Sequence, residues 1–367
     1  MKVLLCTNAF LNITNGPAKF ANIILDINRK NYNVEVRILT EDVDEEISGS
    51  VYKQHLKIPR IFRLLGQVFR MFQYHKRAME IKKEFDFEVL IYNNALVGLW
   101  SAVWFKNSIG FINDDTNSSV SWKDAWFKFR WNKFHVFYIL ERISCILFRK
   151  IVVNSDYMKE HIAKKYPTSQ HKIYRLYKSI ELNVSDPPLV KKNNLIPLVL
   201  FVKNDYERGG LFTLIDALHK IDSKVKLIIA GPDAEAEAEI RSAIKKNDIE
   251  IEFKGIITQQ KVYTLMQQAD IFCVPSYKEA FGIANVEAMY FGCAIISTNV
   301  GGIPEVMDYG NAGWLVDPSD SGQLVKAFQE YMTNTELRKQ KAELAYLQIK
   351  KFSMENLFTT FSKIISD

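Results

Sequence analysis

Short apolar runs rich in Val, Ile and Leu recur along the chain, separated by longer stretches in which apolar residues return every three or four positions. Buried strands alternating with amphipathic helices are the pattern of a parallel sheet covered by helices. Two series are visible. The first predicts strands at 3–6, 34–39, 89–92, 109–112 and 151–153. The second predicts them at 198–202, 225–229, 249–253, 271–274, 294–297 and 314–316. Between the two, residues 182–197 contain Asp186-Pro187-Pro188 and Lys191-Lys192-Asn193-Asn194, which is linker composition. The pattern therefore predicts two doubly wound parallel α/β domains, 1–181 and 198–351, with ligands taken beyond the carboxyl ends of the strands. A closing helical segment runs over 352–367.

At 367 residues, 48% hydrophobic and 25% charged, the chain is long enough for two cores and is neither disordered nor collagen-like. Its net charge of +6 conceals an asymmetry. Residues 1–180 carry 28 Lys and Arg against 17 Asp and Glu, a net +11, whereas the remainder carries 20 against 25, a net −5. The first half is expected to attract an anionic surface or substrate. Cys6, Cys145, Cys273 and Cys293 lie among apolar neighbours and outside any C-x-x-C or zinc spacing, so buried packing in a reducing, cytoplasmic compartment is expected. The opening apolar run is too short for a signal peptide, and no ~18-residue apolar stretch occurs that would span a membrane.

The most informative stretch follows the strand that ends at Val274. Pro275 stops that strand, Glu279 falls in the loop beyond it, and helical composition begins near Phe281 and ends before Gly292. The amides of Phe281, Gly282 and Ile283 then form an electropositive first turn suited to hydroxyls and anions. Glu287 lies among Val286, Ala288 and Met289, where a carboxylate must reach solvent or bind something polar. By itself the segment fits a capping Glu279 and an exposed helical Glu287 equally well. A second loop, Val202 to Gly210, holds Lys203 and Arg208 before Gly209-Gly210 open a helix. Two cations and helix-start amides suit an anion, although such cations are more often solvated.

Glu279 and Glu287, separated by seven residues in E-A-F-G-I-A-N-V-E-A-M, are followed by Gly292 and by Thr298-Asn299-Val300-Gly301-Gly302-Ile303-Pro304-Glu305. Together these resemble the E-x7-E signature of the retaining family 4 glycosyltransferases. Gly231-Pro232, Phe253-Lys254-Gly255, Ala269-Asp270 and Asn311-Ala312-Gly313 also fall at that family's places. The resemblance implies a GT-B fold, two Rossmann-like domains facing across a cleft, with 1–181 on the acceptor side, 198–351 binding the nucleotide sugar, and 352–367 packing back onto the first domain. It implies that Glu279 and the amides of Phe281, Gly282 and Ile283 hold the donor sugar, and that Glu287 grips the ribose. Lys203 and Arg208 would clamp the diphosphate, with Lys203 where Arg is more usual. Gly231 and Ile257 would border the base, and a Gly16 amide in Asn15-Gly16-Pro17-Ala18 would approach the diphosphate from the other domain.

At Asn113-Asp114 the sequence departs from the His-Asp pair common in the family. Asn113 and Asp114 are carried over as catalytic candidates beside the reacting sugar, but Asn113 can hydrogen-bond a sugar hydroxyl and cannot titrate near neutral pH, so the acid or base role of the histidine does not carry over to it. None of the six histidines stands at a motif position. The resemblance implies a metal-independent reaction with no cofactor beyond the nucleoside-diphosphate sugar as co-substrate. In it the leaving phosphate takes the acceptor proton, and Lys203, Arg208 and helix amides stabilise the charge.

The acceptor is expected to be a glycan or lipid-linked glycan presented near an anionic membrane surface, with the chain peripheral on its inner face. Over Arg60 to Arg77, Ile61, Leu65, Val68 and Phe72 share one helical face, and Arg63, Arg70 and Arg77 share the opposite one. That fits either a helix packed on its sheet with a solvated basic back or a membrane-surface element. Over Trp122 to Lys150, Trp122, Trp126, Phe127 and Trp131 are interleaved with Lys123, Lys128 and Arg130, which suits headgroup contact. No nucleic-acid-binding module is present. Two alternatives remain: a degenerate GT-B scaffold subunit without turnover, and a sugar-nucleotide epimerase on the same fold.

Overall fold

In the computed structural model the described residues are 1–11, 16–30, 32–47, 49–56, 66–114, 133–180, 194–244 and 249–367. The expected features at Arg63, at Trp122 to Trp131 and over 182–193 lie outside them. The chain divides into two compact units, residues 1–179 with 354–367, and residues 180–353.

The first unit contains β1 (Lys2–Thr7), α1 (Gly16–Leu25), β2 (Glu35–Thr40), β3 (Val51–Lys53), α2 (Gly66–Glu84), β4 (Val89–Tyr92), α3 (Leu99–Trp104), β5 (Ser108–Ile112), α4 (Lys133–Leu147), β6 (Lys150–Val153), α5 (Asp156–Lys165) and β7 (Ile173–Arg175). Its seven strands are ordered β3-β2-β1-β4-β5-β6-β7 and pair in parallel. The order reverses between β1 and β4, which places a topological switch point at their carboxyl ends. Two of these strands, β3 and β7, have no counterpart in the sequence reading. Each is a three-residue strand at an edge, too short to show an apolar run.

The second unit contains β8 (Leu198–Val202), α6 (Leu211–Leu218), β9 (Lys226–Ala230), α7 (Ala234–Ala243), β10 (Glu250–Gly255), α8 (Gln259–Gln268), β11 (Ile271–Val274), α9 (Ile283–Tyr290), β12 (Ala294–Thr298), α10 (Ile303–Val306), β13 (Trp314–Val316), α11 (Ser321–Thr333) and α12 (Thr335–Gln348). Its six parallel strands follow β10-β9-β8-β11-β12-β13, so the switch point falls between β8 and β11. Strands β11 and β12 are buried along their whole length, as a sheet covered on both faces requires.

The last helix, α13 (Met354–Ser366), packs into the core of the first unit. Leu357, Phe358, Phe361, Ile364 and Ile365 are buried with Val3, Ile24, Ile38 and Val89, each side chain contributing about 1.5–3 kcal/mol of transfer free energy. At the helix end, Lys150 Nζ donates to the Ile364 carbonyl and Arg149 to that of Asp367.

One expectation about α2 is overturned. Met71, Tyr74, Ala78 and Ile81 form its buried face, whereas Val68 and Phe72 are about half exposed. Arg70 and Arg77 are not a solvated stripe either: Arg70 is bonded to Glu41, and Arg77 pairs with Glu46 at 2.6 Å and Glu80 at 3.2 Å. The reason is tertiary. The buried set repeats at intervals of three, four and three residues, and the loop after β2 supplies acids to the arginines.

Candidate active site

In the second unit, site residues collect at the carboxyl edge of the sheet because the chain leaves β8, β9, β11 and β12 there in succession. Lys203 follows β8, and Ser276 and Glu279 follow β11, so the three straddle the switch point. Lys203 Nζ donates to Glu279 Oε2 at 2.9 Å and to Ser276 Oγ at 3.0 Å. Glu279 Oε1 in turn accepts from the Ala280 amide at 3.1 Å and the Phe281 amide at 3.5 Å. Both members of the pair remain partly exposed, at 18% and 27% of their side chains, so a ligand can reach them.

Backbones approach closely here, and glycine is what permits it. Gly210 (φ 73°) and Gly282 (φ 93°) sit in the left-handed region immediately before α6 and α9. A Cβ on Gly210 would fall 2.2 Å from the Pro275 carbonyl oxygen, and one on Gly301, after β12, would fall 1.5 Å from that of Glu279. Gly231, after β9, lies against the Lys203 main chain, 2.5 Å from where its Cβ would be, and its amide donates to the Gly255 carbonyl at 2.9 Å. The main chain at Lys203 and Glu279 is thus buttressed by two other loops. Side chains of Ser155, Asp233, Thr258, Asp320 and Asn334 cap α5, α7, α8, α11 and α12. No side chain caps α6 or α9, whose first-turn amides face this edge.

The other expected residues are distributed as follows. Arg208 lies on the β8–α6 loop, its Nε donating to the Lys278 carbonyl at 3.2 Å and its amide to Asp205 at 3.0 Å. Glu287 is buried in α9, where Tyr263 Oη of α8 donates to it at 3.4 Å, so it is not the solvated helical carboxylate that the segment by itself also allowed. Phe281 is buried against Phe352, whereas Ile283 and Ile257 are half-buried. Ser276 and Tyr263 escaped the sequence reading: the first is an unremarkable residue in a motif read for its acids, and the second reaches Glu287 only through tertiary packing.

Gly16, Asn113 and Asp114 belong to the first unit. Asn113, just after β5, donates from Nδ2 to the Asn93 carbonyl at 2.8 Å and to Asn93 Oδ1 at 3.0 Å. Asn93, just after β4, donates at 3.3 Å to Thr7 Oγ1 and to the Pro17 carbonyl beside Gly16. Asn154, after β6, donates to the Asn113 carbonyl at 2.9 Å. Four consecutive strand ends are therefore tied by neutral amides, and Gly16 at the start of α1 is tied to them. Asp114 is exposed. Behind this ladder, the single Tyr74 Oη hydrogen is shared between the Thr7 carbonyl at 2.9 Å and Glu41 at 2.8 Å, and burial next to that carboxylate raises its phenol well above the usual range. Among the described residues no cluster of His, Cys, Asp and Glu is arranged to hold a metal ion.

Comparison with known proteins bears on the family and the fold. Residues 188–348 match the family model described as glycosyl transferases group 1. An uncharacterized glycosyltransferase of Methanocaldococcus jannaschii, MJ1178, is 28% identical over 232 residues, 59% of this chain and 65% of that protein. The matched segments span less than two thirds of the length of such relatives, and as little as 33%. Among solved structures, Anabaena Alr3699/HepE in complex with UDP superposes with a TM-score of 0.73 at 15% identity over 100% of both chains. WaaG, a glycosyltransferase involved in lipopolysaccharide biosynthesis, superposes with a TM-score of 0.69 at 19% identity over 99% of both. The two Rossmann-like units are thus those of the GT-B fold. Residues 188–348 of this chain carry a likeness to glycosyl transferases group 1.

Proposed function

We propose that the chain is a retaining glycosyltransferase of family 4 type. It would move a sugar from a nucleoside-diphosphate sugar to a hydroxyl of a glycan or lipid-linked acceptor in cell-surface polysaccharide or glycolipid assembly. The observation that carries this reading is the Lys203–Glu279–Ser276 cluster, astride the β8/β11 switch point and beside the uncapped start of α9. Lys203 supplies a point charge held by Glu279, and Arg208 supplies a second cation five residues on. Both act on the diphosphate as charge builds on the leaving oxygen. Glu279, with the first-turn amides of α9, holds the donor sugar hydroxyls, and the buried Glu287 takes the ribose hydroxyls. Gly231 and Ile257 border the base.

On the acceptor side, Asn113 turns its Oδ1 toward a sugar hydroxyl, because both hydrogens of its amide are taken by Asn93. No titrating base is needed when the departing phosphate accepts the proton from the attacking hydroxyl on the same face. Neutralisation by Lys203, Arg208 and the helix amides makes the reaction metal-independent in this reading. The likeness to a UDP complex and to an enzyme of lipopolysaccharide assembly supports the donor and acceptor classes. Calorimetric titration with UDP, GDP and ADP, then with their sugars, is the test. Saturable binding of one nucleotide that is lost in Lys203→Ala, Arg208→Ala is expected, and absence of binding to all three would overturn the reading.

A further inference from the structure

Helix α2 and the chain around β3 enclose a groove at the edge of the first unit. It holds about 660 Å³, within the size range of small-ligand sites, and is open to solvent. Gln54, Phe69 and Gln73 form its less exposed wall, and Phe72, Lys76 and Glu80 lie on its exposed rim. Arg77 also lines it, held between Glu46 at 2.6 Å and Glu80 at 3.2 Å.

One atom of this lining has an unmet requirement. Gln54 directly follows β3 and is 5% exposed. Its Nε2 donates to the His55 carbonyl at 3.0 Å, whereas its Oε1 is shut off from water and accepts no hydrogen bond among the described residues. A buried acceptor in this state leaves its desolvation cost uncompensated, and only a donor, a hydroxyl or an N–H, relieves it.

The rest of the lining says which donor. Formally, Lys76 and Arg77 balance Glu46 and Glu80, so the groove presents no net field for a phosphate or an ammonium group. A nucleotide would bring its phosphates against two carboxylates, and a purely apolar ligand would leave the carboxamides and charges without partners. A neutral molecule with many hydroxyls and apolar faces between them suits both. Saccharide rings have that character: their hydroxyls meet carboxamides, carboxylates and guanidinium, and their C–H faces lie on aromatic rings such as the half-exposed Phe72. Position gives the length of the ligand. In the order β3-β2-β1-β4-β5, Gln54 leaves the edge strand and Asn113 leaves β5, four strand spacings or about 19 Å away along the same carboxyl edge. A single sugar cannot span that separation, and a chain of several can.

We propose that this groove binds a neutral oligosaccharide, with Gln54 Oε1 accepting from a sugar hydroxyl and Phe72 underlying a ring. The site deepens the transferase reading, since it would hold the far end of an acceptor whose reacting hydroxyl lies at Asn113. That assignment rests on the transferase reading, whereas saccharide binding by the groove does not.

The test applies the full chain, without nucleotide, to an array of neutral and acidic oligosaccharides. The neutral oligosaccharide that gives the strongest signal is then titrated by calorimetry into the parent, Gln54→Leu and Phe72→Ala. Saturable binding is expected, about ten-fold weaker in each variant, as for loss of one hydrogen bond or one ring contact. Gln54→Leu removes the unmet acceptor at similar volume, so its melting temperature should not fall below that of the parent. Phe72→Ala changes an exposed position and decides the matter should Gln54→Leu fold poorly. Binding of no neutral oligosaccharide, equal affinity in the parent and Phe72→Ala, or preference for acidic glycans would overturn the proposal. Nucleotide titration of the same samples separates the two readings. Glycan binding without nucleotide binding would sink the transferase reading and leave the site standing, and nucleotide binding without glycan binding would do the reverse.

Discussion

The Asn113 side-chain amide gives both of its hydrogens to Asn93, one to the main-chain oxygen at 2.8 Å and one to Oδ1 at 3.0 Å. The geometry fixes which end of the amide faces outward, since two acceptors can be met only by nitrogen. Asn113 is therefore an oriented acceptor whose character does not change with pH. In Asn113→Asp a carboxylate oxygen would confront the same two acceptors, which disfavours the charged form and raises the carboxyl above its usual value near 4. We predict that kcat/KM of this variant falls about ten-fold or more as pH rises from about 5 to 8. The parent enzyme should lack that limb. Parallel profiles for the two proteins would show that Asn113 does not face the ligand.

Gly301 and Glu279 are bound by space as tightly as Lys203 and Glu279 are by charge. A Cβ on Gly301 would fall 1.5 Å from the Glu279 carbonyl oxygen, whereas one on Gly310 meets nothing within 4 Å. Both glycines have positive φ, 57° and 97°. Gly310→Ala should therefore carry only backbone strain, about 1 kcal/mol, whereas Gly301→Ala must also push the Glu279 main chain. We expect Gly301→Ala to lower turnover about 100-fold, in keeping with misplacement of a site residue by about an ångström, and Gly310→Ala to leave it within a factor of about three. Similar turnover in the two variants would deny Glu279 a positional role.

Helix α13 lies last in the chain but belongs to the core of the first unit. Phe361, 1% exposed, should cost about 3–5 kcal/mol of that unit's stability when truncated to Ala. Lys363 on the same helix is not part of that core, so Lys363→Ala should change the unfolding free energy by no more than about 0.5 kcal/mol. Chemical denaturation of the two variants makes the comparison, and equal midpoints would mean that α13 does not stabilise the fold.

Much of this was legible in the sequence. Strands such as β4 and β11 are buried on both faces, and their unbroken apolar runs announce them. Glycines and acids in E-A-F-G-I-A-N-V-E carry their meaning in their order. What stayed hidden depends on partners distant in sequence. Asn93 is one of two adjacent amides after a strand and acquires its role only when Asn113 lies beside it. On α2, Val68 and Phe72 form as good a stripe as Met71, Tyr74, Ala78 and Ile81, and only the sheet decides which is buried. The arginines of that helix read as a cationic stripe until Glu41 and Glu46 are brought to them.

His75 joins α2 to α3 through Ser101, with Nδ1 and Oγ 3.1 Å apart, and burial holds its imidazole below the usual value. A depressed histidine favours the neutral form, so its contribution is present above the unfolded-state value near 6.5 and is lost as pH falls through it. Melting temperatures at about pH 8 and pH 5.5 should differ by about 1–2 °C less in His75→Gln than in the parent, a small change because the group is only half-buried. An unchanged difference would show that His75 is not coupled to folding.

In the proposed reaction Lys203 and Arg208 stabilise a departing nucleoside diphosphate while a sugar passes to an acceptor hydroxyl. The most direct measurement is transfer itself: the accepted nucleotide sugar is incubated with a lipid-linked glycan, and the product is followed by mass spectrometry with its anomeric proton assigned by NMR. A glycosylated product with the donor's anomeric configuration is expected. The rate should be about 100-fold or more lower in Lys203→Ala, Arg208→Ala. An inverted product, or a double variant as fast as the parent, would contradict the proposed reaction.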